Sequence, residues 1–444
     1  MGAVIGRASE PHSVPHEAAA AAAPREYDSN ILEAAKHAAR MRKKDDFDDH
    51  NEPIVWGAND GEALHDSLAS DAGLGGAPVR LVDARFIIKL AISGGRLTRR
   101  QDLPNGAFIG LRQLRQMGKG YMKTDLRILC VSHMWLRPDH PDPRGDSLQL
   151  LANALETFVL DRFDGGTWAV FLDYCSLPQC GPLGEARTST ESALLARGLH
   201  SLAALFSHPC TWTLKLTKLP VDYPSAFSYA ADIAPNVAEY DERGWCWTES
   251  SVSNLVKPYT QVLDLSKYSG QPTAVRSTTL RNSTLRMNYA TTLPELIRTC
   301  RAGRAPPLIP SEFDRLLEQK AFTWRHADLP TVRQLYRSAF DLRFAAASIL
   351  SFVDLGWNDE DARSLCKVID SGALRHTREI DLVGNHITDD GMGWLAASLA
   401  QAAVVAPNLE AVHLSCNRAS EQATAAVSAM LRASQRTRAA AAAT

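Results

Sequence analysis

The sequence predicts an α/β protein: a doubly wound, mainly parallel sheet followed by a short C-terminal α/β solenoid. Two patterns carry the prediction. Between Asp125 and Leu265, short apolar runs alternate with stretches of helical periodicity, which is how parallel βαβ units covered on both faces read. Between residues 344 and 435 the chain three times presents an apolar run, two further residues and an asparagine. These end at Asn358, Asn385 and Asn417, 27 and then 32 residues apart.

At 444 residues the chain exceeds what one hydrophobic core organises, so two or three domains are expected. Its 48 basic and 50 acidic side chains leave a net charge of -2, which gives no broad field to gather nucleic acid or an anionic membrane. Neither is expected as a partner. No stretch approaches 18 consecutive apolar residues, and the N-terminus lacks the pattern of a secretory signal. The eight cysteines are scattered without a CxxC pair, as reduced thiols of a cytoplasmic protein would be, and the cytoplasm is the expected location.

Residues 1–78 read as a largely disordered, Ala-rich region with a short helix after Ser29 and a glycine-bearing link from Asp71 to Pro78. Residues 79–270 form the α/β domain. Val79, Leu81 and Val82 suggest a strand and Phe86–Ile92 a helix, and Arg96, Arg99 and Arg100 read as a solvated loop or as partners of nearby acids. Apolar strands are expected at Ile128–Val131, Trp168–Leu172, Thr211–Leu216 and Thr260–Leu265. Helices are expected over Leu148–Leu160, Glu191–Phe206 and Glu249–Val256. Residues 271–343 read as a helical connector broken at Pro306, Pro307 and Pro310.

In the C-terminal segment the three units are Val353-Asp354-Leu355 to Asn358, Ile380-Asp381-Leu382 to Asn385, and Val412-His413-Leu414 to Asn417. Leu355, Leu382 and Leu414 are expected to point into the stack. Asn358, Asn385 and Asn417 are expected to bond backbone groups that the turns would otherwise bury unpaired. The stretch Asn385-His386-Ile387-Thr388-Asp389-Asp390-Gly391, running into Leu395 and Leu399, resembles leucine-rich repeats of the ribonuclease-inhibitor class. The resemblance implies a leucine-rich-repeat solenoid over residues 344–435 that binds a protein partner.

Chemistry concentrates at three places in the α/β domain: Ser132-His133-Met134-Trp135 after the first apolar strand, Asp173 to Gln179 after the second, and Arg243-Gly244-Trp245-Cys246-Trp247-Thr248-Glu249. The first two lie where an open parallel sheet gathers ligands, beyond the carboxyl ends of its strands. In this order the three segments resemble the Toll/interleukin-receptor (TIR) domain and the related fungal heterokaryon-incompatibility domain, over roughly Asp125 to Tyr268. His133-Met134-Trp135 departs from the aromatic-Arg stretch of plant TIR domains, and a long insertion separates Leu219 from Tyr240.

The resemblance implies a TIR/flavodoxin-like fold that self-associates in signalling or scaffolding. Its alternative implication is an NAD hydrolase with Glu249 as the catalytic carboxylate. NAD is then the substrate, and no cofactor or metal is called for. Cleaving the nicotinamide–ribose bond develops an oxocarbenium-like cation, which a fixed carboxylate stabilises. Ser132, His133, Trp135, Asp173, Gln179 and Trp245 are the candidate ligand contacts. Each has a plainer reading: Trp245 as core, Glu249 as a first-turn acid at a helix start, His133 as hydrogen-bonded scaffold, Asp173 as a turn cap. A Ser-His-Asp hydrolase lacks its G-x-S-x-G elbow, and Cys175 and Cys180 with His133 lack a second zinc-ligand pair.

Overall fold

The computed structural model describes residues 61–442 apart from 72, 112, 115–126, 162–166, 182–183, 230–233, 269–292 and 301–302. The Ala-rich stretch, the helix expected after Ser29 and the start of the connector lie outside the described residues.

Strands β1 (Val82–Asp83), β2 (Ile128–His133), β3 (Ala169–Leu172), β4 (Trp212–Leu216) and β5 (Val262–Asp264) form one sheet in the order β1-β3-β2-β4-β5. All neighbours are parallel except β1, which runs antiparallel along β3. The central strands β2 and β3 are buried at every position because helices cover both faces. Leu129, Val131, Leu172 and Leu214 pack towards α2 (Ala84–Ile92), α3 (Asp146–Asp161) and α6 (Leu293–Cys300). Cys130, Ala169 and Phe171 face the other way, with α1 (Gly61–Leu68), α4 (Ser189–Ser207), α5 (Gly244–Ser253) and α8 (Arg325–Ala346). Adjacent residues of β2 therefore serve opposite cores.

Local signals set several boundaries. Thr188 and Glu191 close a capping box at the start of α4, and Asp83 caps α2. Ordered packing begins upstream of Val79: α1 lies against α4 with Leu64 fully buried, and Asp71 accepts from the amides of Gly73 and Leu74. The supposed link is thus a built turn. Arg99 pairs with Asp102, whereas Arg100 is buried and donates to the carbonyls of Ala77, Pro78 and Ser176, tying that turn to the domain. The connector also divides. Helix α6 belongs to the sheet, whereas α7 (Pro310–Leu317) and α8 bridge the sheet domain and the C-terminal units.

A second, parallel sheet has the order β6 (Ile349–Ser351), β7 (Glu379–Asp381), β8 (Ala411–His413). Helices α9 (Asp359–Asp370), α10 (Asp389–Leu399) and α11 (Glu421–Ala442) follow the strands and pack in series. Asn385 is buried. Its Nδ2 donates to Phe352 O and Leu382 O, and its Oδ1 accepts from Leu355 N and Trp357 N. Asn417 repeats this one unit on, donating to Leu382 O and Leu414 O and accepting from Ile387 N.

The first unit is in a different register from the one its sequence suggested. Leu350 pairs with Ile380, so Phe352 stands where Leu382 and Leu414 stand, and Leu355 occupies the asparagine position. Asn358 instead caps α9 in a capping box with Asp361. The positions before the asparagine slot share a left-handed backbone, at Asp354 (φ 57°), Gly384 (φ 75°) and Cys416 (φ 59°), which is what turns each strand into its helix.

Candidate functional site

Helix α5 begins earlier than its periodicity indicates, at Gly244 rather than Glu249. Gly244 N donates to Ala321 O, and a Cβ there would meet the Phe322 ring, so a side chain at this position forces that ring aside. Starting at Gly244 places Cys246, Glu249, Ser250 and Ser253 on one side at helical spacing, facing the sheet. Cys246 Sγ reaches His133 O at 3.5 Å, and Ser253 Oγ lies 2.9 Å from Thr213 Oγ1.

At the carboxyl end of β2, Ser132 Oγ donates to Glu249 Oε2 at 2.5 Å and accepts from Tyr240 Oη at 2.5 Å. Glu249 is 9 % exposed, and this burial pushes its pKa up to about 8 against the opposing Ser132 bond. The residue is mostly protonated at neutral pH. Behind it, burial raises Asp173 to about 6, although Trp135 Nε1 (2.7 Å) and Tyr174 N (2.6 Å) donate to its carboxylate.

The site sits at the point where the sheet reverses direction. The chain leaves β2 for α3 on one face and β4 for α5 on the other, and the carboxyl ends of two such strands are where a doubly wound sheet takes its ligand. Ser132, Lys215 and Asp264 are register partners across β2, β4 and β5, and so share a face. Lys215 Nζ lies 3.5 Å from Ser250 Oγ and 5.8 Å from the Tyr240 ring.

The insertion covers the end of β2. Tyr223 and Tyr229 donate to Leu136 O, and Tyr223 also to Asn236 O. The buried Arg243 binds the carbonyls of Trp135, Asn236 and Ala238.

The candidate residues do not all converge. Ser132 and Glu249 meet directly, and Asp173 with Trp135 forms a neighbouring pair. His133 points to the opposite face, where among the described residues neither buried ring nitrogen has a partner, and burial, reinforced by Arg243 and His140, lowers its pKa to about 3. Gln179 braces its own turn through Asp173 O and Leu177 O. Trp245 takes its plainer reading as core: it bonds Asp328 of α8 and packs into the core shared with the connector. Its neighbour Trp247 stacks on Phe313 at 4.6 Å, and Phe313 on Tyr336 at 3.7 Å.

Sequence reasoning passed over Lys215, Tyr240, Arg243 and Ser250. Lys215 carried a legible signal as the one charge in the otherwise uncharged strand Trp212–Leu216. Among the described residues no group of three or more His, Cys, Asp or Glu could hold a metal ion, and no helix is long and apolar enough to cross a membrane. Comparisons with protein-family models, curated proteins and solved structures find no match for this chain.

Proposed function

We propose that the α/β domain is an N-ribosyl hydrolase of the TIR-like type, acting on NAD, with Glu249 as its carboxyl group. The observation that supports this most is the Tyr240–Ser132–Glu249 hydrogen-bond chain at the carboxyl end of β2. A carboxyl group held out of water acts strongly on charge that develops beside it. In the reaction the C1′–N bond breaks and its electron pair leaves with nicotinamide. The ionised Glu249 carboxylate stabilises the ribosyl cation, and water adds to C1′ and releases a proton, giving ADP-ribose. Because Glu249 is protonated at rest, the cationic nicotinamide ribosyl group favours its ionisation on binding. Entry requires displacement of Tyr223 and Tyr229, which bond Leu136 O beyond the end of β2.

The test is nicotinamide release from NAD by the concentrated full-length chain. Release that depends on Glu249 supports the reading; no release, or equal release from Glu249→Gln, overturns it.

A second reading concerns the C-terminal units, taken as leucine-rich repeats that bind a protein while the TIR-like domain self-associates in a signalling or scaffold assembly. It is favoured by the Asn385 and Asn417 ladder and by the partly exposed outer residues Ser351, Glu379, Asp381 and His413 of the second sheet. Reproducible capture of one partner by the full chain, lost on charge reversal of Glu379 and Asp381, is the result expected. Capture that ignores those changes counts against this face.

A further inference from the structure

We propose that Lys215 forms a phosphate-binding subsite beside Glu249, taking the anionic group of a nucleotide whose ribose lies at the carboxyl ends of β2 and β4. This rests on the N-ribosyl hydrolase reading of the same site. Three observations carry it.

The first is place. Lys215 is the register partner of Ser132 on the neighbouring strand, so the two side chains leave the same face one strand spacing apart, about 4.8 Å. A ribose held at Ser132 and Glu249 brings its 5′-phosphate within the reach of a lysine one strand over. These are also the two strands between which a doubly wound sheet takes its ligand.

The second is that the carboxylate of its register partner is engaged elsewhere. Asp264, the register partner of Lys215 on β5, turns its Oδ1 to Thr217 Oγ1 at 2.6 Å and Ser266 N at 3.0 Å. Among the described residues no carboxylate forms an ion pair with Lys215, whose one hydrogen bond is the long contact to Ser250 Oγ. Burial accordingly holds its pKa below the ordinary lysine value. Asp264 and Asp241 favour its charge without pairing with it directly, and a largely desolvated ammonium that lacks a paired anion is costly, a cost that an anionic ligand lowers.

The third is that the buried cation nearest the end of β2 is committed. Arg243 gives its guanidinium to three backbone carbonyls and so does not compete with Lys215 for that anion.

Calorimetric titration of the full chain with ADP-ribose and, separately, with nicotinamide riboside tests this, because the second ligand has the ribose and no phosphate. Lys215→Gln is expected to weaken ADP-ribose binding by about 10- to 100-fold, as for loss of a charge-assisted hydrogen bond, and to leave nicotinamide riboside unchanged. Lys215→Arg is expected to retain most of the ADP-ribose affinity. Lys215→Met, which keeps the aliphatic stem, decides the matter if the glutamine variant does not fold. Equal ADP-ribose affinity in parent and variant, equal loss of both ligands, or no ADP-ribose binding by the parent overturns the proposal. Lys215-dependent ADP-ribose binding without NAD cleavage overturns the hydrolase reading alone.

Discussion

Ser132 and Glu249, 117 residues apart in the chain, share a 2.5 Å hydrogen bond beneath the insertion that covers β2. That contact joins the strand at the centre of the sheet to the helix braced by the connector. It also fixes where Glu249 ends and therefore what its carboxyl group titrates against.

If the chain is the N-ribosyl hydrolase proposed above, the pH dependence of NAD cleavage follows from that titration. The proposed reaction needs ionised Glu249, and burial holds its pKa at about 8. Initial-rate measurements of kcat/KM are expected to rise with pH up to about that value and then flatten. Glu249→Gln is expected to lose about 100-fold or more of the rate, the scale of a catalytic carboxyl group. Serine 132 acts by holding Glu249, so Ser132→Ala is expected to shift the midpoint of the profile upward as well as lower the rate.

The same group makes stability depend on pH. Its pKa is raised on folding from the ordinary 4.5 to about 8, so its contribution is fully present below pH 4.5 and is lost as pH rises towards 8. Thermal melts of parent and Glu249→Gln are expected to diverge between pH 5 and pH 8. The variant gains relative stability at the higher pH by on the order of 2 to 3 kcal/mol. Parallel curves would show that Glu249 is ionised in the fold.

His133 gives the opposite slope. Its pKa falls on folding from 6.5 to about 3, so stability is intact above pH 6.5 and declines as pH drops towards 3 and the unfolded chain takes up the proton. His133→Leu is expected to flatten part of that acid-side decline in a denaturation series. At neutral pH the change is expected to cost less than about 1 kcal/mol, because among the described residues the ring makes no hydrogen bond to lose.

The register of the C-terminal units separates two asparagines that look equivalent in sequence. Asn385→Ala strands two amides and two carbonyls inside the stack, at a cost of about 3 kcal/mol or more. Asn358→Ala removes a helix cap and costs about 1 kcal/mol. Urea unfolding of the two variants checks the order, and equal losses would contradict the register of β6 on β7.

The sequence by itself determined the alternation of apolar strands and amphipathic helices, the expectation of a mainly parallel sheet, and the recurrence that builds the second sheet. Those are local periodicities, written by which side of an element must be buried. It also marked Glu249 and Ser132, though not that they touch. Only the tertiary structure decided the protonation of Glu249, the seclusion of His133, the outward bond of Trp245 to Asp328 and the position of Lys215 beside Ser132. Each of these is set by groups far away in the chain. The register of the first C-terminal unit is likewise set by the fold, because the pairing of Leu350 with Ile380 places Phe352 in the leucine slot. An apolar residue marks a buried position equally well in either register, and only the neighbouring strand chooses between them.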